Sequence, residues 1–291
     1  MKLVTFVQNR QARLGVLQTT ANGDVVVDLN KADPSLPTDM ITFLNLGVQG
    51  RHRAAAALAQ VPAGATVPLA SVTLKAPIPR PGKILCIGLN YKEHAAESHE
   101  ELPKYPVVFA KYNNCVIGPH EPIVLPKISS RPDYEGELAV VIGQRAKNVA
   151  AADALDYVAG YMCFNDVSAR DFQHRTSQWT IGKSFDTFAP MGPALVTADE
   201  ITDPQSLDIK LSINGEVMQS SNTRQMIFPV AGLIAYITSV MTLEPGDVIA
   251  TGTPSGVGAG RMPPRWLRPG DVVRVEIAGV GVLENPVVAE A

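Results

Sequence analysis

Five consecutive apolar residues at 138–142, Leu-Ala-Val-Val-Ile, lie between Pro132 upstream and Gly143 downstream and leave little choice but a buried β-strand. Two glutamates, Glu135 and Glu137, lead into it. Alternate residues of a strand project to the same face, so both carboxylates point the same way at the edge of an apolar element. Crowded there, they repel and desolvate each other unless a cation sits between them. Asp166 follows a second apolar stretch, 158–164, and adds a third strand-end carboxylate. Three such groups neutralise a divalent ion while leaving coordination positions open, and a hard ion such as Mg²⁺ or Mn²⁺ suits all-oxygen ligands. The competing reading of the Glu135/Glu137 pair alone is a solvated strand end with both side chains in water.

Charge narrows the class of partner. Lys+Arg 25 against Asp+Glu 28 gives a net charge of −3, and no basic stripe with interleaved aromatics occurs, so the expected partner is a small molecule and not nucleic acid. Cys86, Cys115 and Cys163 have apolar neighbours and form no C-x-x-C pair, as expected of reduced packing residues in a cytoplasmic protein. Residues 1–11 have too short an apolar run, and no small-residue cleavage site, for a signal peptide. Residues 225–243 carry no formal charge over nearly a membrane-spanning length, but Pro229, Gly232 and several hydroxyls interrupt them. Val230, Leu233, Ile234, Ile237 and Met241 recur there at helical spacing, which favours a helix packed on a protein core over a membrane.

Residues 2–7, 13–17 and 24–29 read as short strands with a turn at Asn22-Gly23, and the Ala-rich 51–60 as a helix. Pro68, Pro77, Pro79 and Pro81 then resist regular structure. The expected organisation is a small β-rich N-terminal domain over 1–75 and a catalytic domain over 76–291. Within the latter, 84–89 reads as a buried strand, 150–156 as a short helix, 207–213 and 216–220 as a hairpin about Asn214-Gly215, and 271–277 and 280–288 as closing strands.

His94 and Glu97 are three residues apart in a segment of helix formers. On a helix they share a face, and a carboxylate beside an imidazole orients the ring and makes it a better base; the alternative is an exposed helical pair. Residues 98–105, charged and closed by Pro103 and Pro106, suit a lid. Gly182-Lys183-Ser184 is not a phosphate loop, because Ser177 stands where the first glycine belongs. Lys183 reads instead as a lone cation in a loop over 179–193, facing either an anion or solvent. Asp171 offers an alternative ligand but, following a polar segment, reads better as fixing Arg170 or its loop, and 251–254 reads as a small-residue loop for close approach of a ligand.

Taken in order, five motifs resemble the fumarylacetoacetate hydrolase superfamily. They are Gly88-x-Asn90-Tyr91-x-x-His94-Ala-x-Glu97, Asp133-Tyr-Glu135-x-Glu137, Asn165-Asp166-x-Ser-Ala-Arg170-Asp171-x-Gln173, Gly182-Lys183-Ser184 and Thr251-Gly-Thr253-Pro254. The resemblance implies an α+β fold dominated by a curved, mixed β-roll with peripheral helices, assembled as a homodimer. It implies Glu135, Glu137 and Asp166 as ligands of Mg²⁺, with Mn²⁺ or Ca²⁺ as substitutes, and no fourth carboxylate ligand. His94 and Glu97 become an acid–base dyad on a lid helix, and Lys183 an electrostatic catalyst. Gln173 and Thr253 surround the substrate, with Arg170, Gly252 and Tyr91 from the same motifs.

The implied reaction is Mg²⁺-dependent hydrolysis of the C–C bond of a 2,4-dioxo acid, of acylpyruvate, fumarylpyruvate or diketo sugar acid type, releasing pyruvate and a carboxylic acid. Water activated by His94 attacks the 4-carbonyl, and an enolate departs beside Lys183. The same enolate chemistry serves oxaloacetate decarboxylation or keto–enol tautomerisation, the alternative reading. A protein that only binds metal or 2-oxo acid is disfavoured by His94 and Glu97, since binding requires no base.

Overall fold

The computed structural model describes residues 1–97 and 101–291. Its organising element is the strand Gly136–Ile142, every residue of which is buried. Leu138, Val140 and Ile142 join one apolar core, while Ala139 and Val141 join another on the opposite face. A strand covered on both sides needs no polar alternation, which is why its sequence is uniformly apolar.

Gly136–Ile142 pairs antiparallel with Val158–Asn165 on one side and Val248–Ala250 on the other. Beyond Val248–Ala250 lie Ile84–Gly88, parallel to it, and Val107–Lys111, antiparallel at the edge. In the other direction Val158–Asn165 pairs with Ala189–Thr197, which pairs with Lys2–Gln8. The sheet then continues through Gln11–Thr20, Gly23–Asp28 and Thr66–Pro68. Residues on both sides of position 75 therefore share one hydrogen-bonded, twelve-stranded mixed sheet. The N-terminal ammonium adds bonds to Thr197 Oγ1 at 2.6 Å and Glu200 Oε1 at 2.9 Å.

A five-stranded sheet, which includes Asp208–Ile213, Val272–Ile277 and Gly281–Ala289, contributes Leu211, Ile213, Val275, Ile277 and Leu283 to the core that holds Leu138 and Val140. The helix Val230–Val240 buries Val230, Leu233, Ile234 and Ile237 in the same core. It is shorter than the uncharged stretch 225–243 because Pro229, with its fixed φ, sits at the N-cap, and Met241 is already extended. Among the described residues, no helix is long and apolar enough to cross a membrane. The fold is α+β and sheet-dominated.

Two local expectations change. Residues 150–156 form a 3₁₀ helix, Ala151–Tyr157. The expected loop over 179–193 instead contains the short helix Thr180–Lys183 and the start of the strand Ala189–Thr197. Gly182 permits this: a Cβ there would come within 2.3 Å of the Gln173 backbone nitrogen, so only glycine lets Thr180–Lys183 dock on the short helix Arg170–Gln173.

Candidate active site

The sheet register places Gly136 opposite Asn165, so the residues flanking these strand ends converge. Glu135 N–H donates to Asn165 Oδ1 at 3.0 Å and Asp166 N–H to the Glu135 carbonyl at 2.8 Å. Glu135, Glu137 and Asp166 thereby bring one oxygen each within 4.8 Å of one another, all in buried side chains. The solvated reading of the Glu135/Glu137 pair is excluded.

Cations hold this cluster, and Lys183 is not alone among them. Lys183 Nζ donates to Glu135 Oε2 at 2.8 Å and to Asp166 Oδ2 at 3.0 Å. Lys111 Nζ, at the end of its edge strand, donates to Asp166 Oδ1 at 2.5 Å and to the Val167 carbonyl at 3.0 Å. Arg170 Nε donates to Asp133 Oδ2 at 2.8 Å, and its Nη2 lies 2.6 Å from Glu135 Oε1. Four buried carboxylates, those of Asp133, Glu135, Glu137 and Asp166, thus face three buried cations. Among the described residues Glu137 has no ion-pair partner, and its Oε2 accepts only the Gly252 N–H, at 2.8 Å.

The electrostatics follow from that imbalance. Burial pushes the Glu135 carboxyl up, but the Lys183 and Arg170 charges outweigh it and hold the group at about 2. Glu137 goes the other way: burial, then the charges of Asp166 and Glu135, push it well above the usual carboxylate range. Burial would lower Lys183, yet Asp166 and Glu135 keep its ammonium above the ordinary value. A divalent cation among the three carboxylate oxygens would supply the charge that Glu137 lacks and leave the inner cluster with one net positive charge, suited to an anionic ligand. The donor set is all oxygen and fits a hard ion.

A cavity of about 360 Å³ opens onto this cluster. His94, Glu97, Glu135, Arg170, Gln173, Lys183 and Thr253 all line it, with Phe109 and Trp179 as an aromatic wall. His94 and Glu97 lie on the helix Lys92–Glu97, with Nδ1 and Oε2 3.0 Å apart. Thr253 accepts from Gln219 Nε2 at 2.8 Å and donates to the Gly136 carbonyl at 3.0 Å, so its hydroxyl is tied to the cluster's strand.

Two expected substrate contacts lie elsewhere. Gly252 points its N–H at Glu137, and Tyr91 is fully buried with its hydroxyl unpartnered, neither of them lining the cavity. Asp171 fixes the loop and not Arg170: it accepts from Ser129 Oγ at 2.7 Å and Ser130 N–H at 3.0 Å. Of the expected lid over 98–105, positions 98–100 lie outside the described residues.

Lys111 and Asp133 belong to the charged cluster, and the sequence reading missed the first and left the second without a role. The signal for Lys111 was a lysine closing the apolar 107–110, and for Asp133 a carboxylate two residues before Glu135. Neither spacing reveals that Lys111 pairs with Asp166, 55 residues away, or that Asp133 pairs with Arg170, 37 residues away.

Comparison with known proteins agrees with this geometry. Residues 83–288 match the family described as fumarylacetoacetate (FAA) hydrolase C-terminal. The mitochondrial oxaloacetate tautomerase of Rattus norvegicus is 47% identical over 290 residues, covering 99% of this chain and 92% of that protein. Fumarylacetoacetate hydrolase from the psychrophilic Exiguobacterium antarcticum is 36% identical, with a TM-score of 0.85 and 100% of both chains covered. Maleylpyruvate hydrolase from Sphingobium sp. SYK-6, solved with manganese(II) and pyruvate, is also 36% identical, with a TM-score of 0.82 over 100% of both chains.

Proposed function

Because the chain belongs to the fumarylacetoacetate hydrolase family, we propose that it is a divalent-metal-dependent keto–enol tautomerase acting on oxaloacetate or a closely similar 2-oxo diacid. This reverses the order read from the sequence, which put C–C hydrolysis first and tautomerisation second. The relative named for tautomerisation is 47% identical over nearly the whole chain, and the hydrolases are 36% identical. The observation that carries the reading is one cavity lined by Glu135 of the buried carboxylate triad, the buried Lys183 ammonium and the His94–Glu97 dyad, with Glu137 and Asp166 directly behind Glu135.

Tautomerisation needs one proton moved between carbon 3 and the oxygen on carbon 2. Glu97 is an acceptor facing His94 Nδ1, so the neutral imidazole carries its proton there and keeps Nε2 free as a base. His94 Nε2 takes the proton from carbon 3 and returns it to the oxygen. Lys183 stands beside Glu135 and Asp166, where its fixed charge favours negative charge developing on that oxygen. The Arg170 guanidinium and Gln173 amide line the wall that a diacid faces. Held by Glu135, Glu137 and Asp166, Mg²⁺ or Mn²⁺ would supply Lewis-acid polarisation of a 2-oxo group. The homodimer expected from the resemblance is part of this proposal. So is a reducing compartment, cytoplasm or mitochondrial matrix, which the buried free thiols of Cys86, Cys115 and Cys163 favour.

The test is to follow the ultraviolet absorbance of enol-oxaloacetate with purified protein and Mg²⁺ or Mn²⁺, while assaying pyruvate. Faster loss of the enol without pyruvate, abolished by chelator, is the expected result. Pyruvate from oxaloacetate would assign decarboxylation instead, and pyruvate with acetate from acetylpyruvate would assign hydrolysis.

A further inference from the structure

The loop 256–260 meets the helix Lys92–Glu97 through a single carboxylate. Glu97 Oε2 faces His94 Nδ1, and Glu97 Oε1 accepts the Gly256 N–H at 2.9 Å. The loop itself is anchored from below: Asp133 accepts Gly258 N–H at 2.7 Å and Ala259 N–H at 3.0 Å, and Tyr134 Oη donates to the Gly256 carbonyl at 3.1 Å. Asp133 and Tyr134 precede Glu135 directly, so the loop that receives Glu97 is fixed to the same strand end that carries the metal-ligand candidates.

Three glycines in this loop have different reasons to be glycine. A Cβ at Gly256 would come within 2.1 Å of the Met218 carbonyl, and φ there is +101°. At Gly258 it would come within 2.1 Å of the Arg265 carbonyl. Both are demands of the backbone. Gly260 lies outside the left-handed region, and the nearest atoms its Cβ would meet are Glu97 Cδ, Oε1 and Cγ, at 2.5, 2.6 and 2.7 Å. Its neighbour is the end of a flexible side chain that could swing away at little cost to the fold.

We infer that Gly260 is a positioning residue: its missing side chain is the seat that admits the Glu97 carboxylate, and so holds the helix Lys92–Glu97 and the His94 ring in working position over the cavity. Gly260, whose backbone lines the same cavity, acts through Glu97. The inference rests on the proton-transfer reading for its effect on turnover, but the seat itself is a matter of structure.

The experiment compares Gly260→Ala, Glu97→Ala and the double variant, with steady-state kinetics on oxaloacetate, thermal melting, and hydrogen exchange of the Gly256 amide and the helix. Gly260→Ala should melt with the wild type and lose kcat on the order of 10²-fold, the scale of a displaced catalytic group, with KM little changed. The double variant should be no worse than Glu97→Ala, because residues acting through one contact are not additive. Both single variants should speed exchange at Gly256 and along the helix. A rise in KM at intact kcat that persists in the Glu97→Ala background would overturn the seat and show a methyl group filling substrate space. Additive losses in kcat would overturn it too, as would unchanged exchange. If the wild type does not turn over oxaloacetate, the proposed reaction fails while the exchange measurement still decides the seat.

Discussion

Lys183 and His94 line the same cavity, yet they are held in opposite ways. Lys183 is 2% exposed and bonded to carboxylates that flank two different strands. His94 rides a six-residue helix and, among the described residues, has one side-chain hydrogen-bond partner, Glu97, on the same helix. The charged cluster is part of the core, so its geometry cannot be separated from the stability of the sheet. The dyad lines the cavity from a short helix outside the charged cluster, so its side chains should be removable while the fold stays.

That contrast can be broken experimentally. The largest effect on stability is expected from Lys111→Met, which leaves Asp166 short of a buried cation although the side-chain volume is nearly kept. Removing one partner of a buried ion pair costs about 3–5 kcal/mol, so the urea midpoint of the metal-free protein should fall sharply. A midpoint like the wild type's would mean that the cluster is not part of what holds the sheet.

His94→Ala should do the reverse. Turnover should drop about 10²–10⁴-fold, the usual contribution of a positioned base, while the urea midpoint and the calorimetric affinity for Mn²⁺ stay near wild type. Loss of metal affinity in this variant would show that dyad and cluster are one structural unit.

Asp171→Asn tests a carboxylate behind the site and should give the smallest change. Burial works to raise Asp171, but hydrogen bonds from the Ser129 hydroxyl and Ser130 N–H outweigh it and keep the carboxyl below its ordinary value. A depressed folded-state value means stability that is present above the unfolded value and lost as pH falls through the folded one. The variant should therefore be slightly less stable near neutral pH, by less than the roughly 0.5–1.5 kcal/mol of one net hydrogen bond because solvent screens this partly exposed group, and should converge with wild type in acid. The readout is a pair of denaturation series across pH, and a gap that widened in acid would reverse the assignment.

Much of the site was legible because its motifs are local. Period two set Glu135 and Glu137 on one face and helical spacing paired His94 with Glu97, but each pattern alone left a solvated alternative open, and the ordered family motifs weighed against it. Lys183 was legible as a cation but not as a buried one, since a short helix docked through Gly182 carries it inward. Tyr91 and Gly252 belong to the motifs for reasons other than lining the cavity: one fills core, the other presents an amide to Glu137. The strands were readable from turns and alternation, whereas their pairing was not. Nothing in residues 2–8 indicates that they extend the sheet by pairing with the strand that begins at Ala189.

The amino-acid sequence by itself determined the buried strand, the triad of carboxylates at strand ends and the imidazole–carboxylate pair, because each depends on periodicities of the backbone that act over a few residues. Only the tertiary structure decided how the charge is balanced. Lys111, Arg170 and Lys183 come to the carboxylates through sheet register and loop packing, and a buried charge is stabilised by whatever lies a few ångströms away in space, however far off in the chain. That same packing left Glu137 without a cation among the described residues, which makes it the place where a metal ion would complete the site.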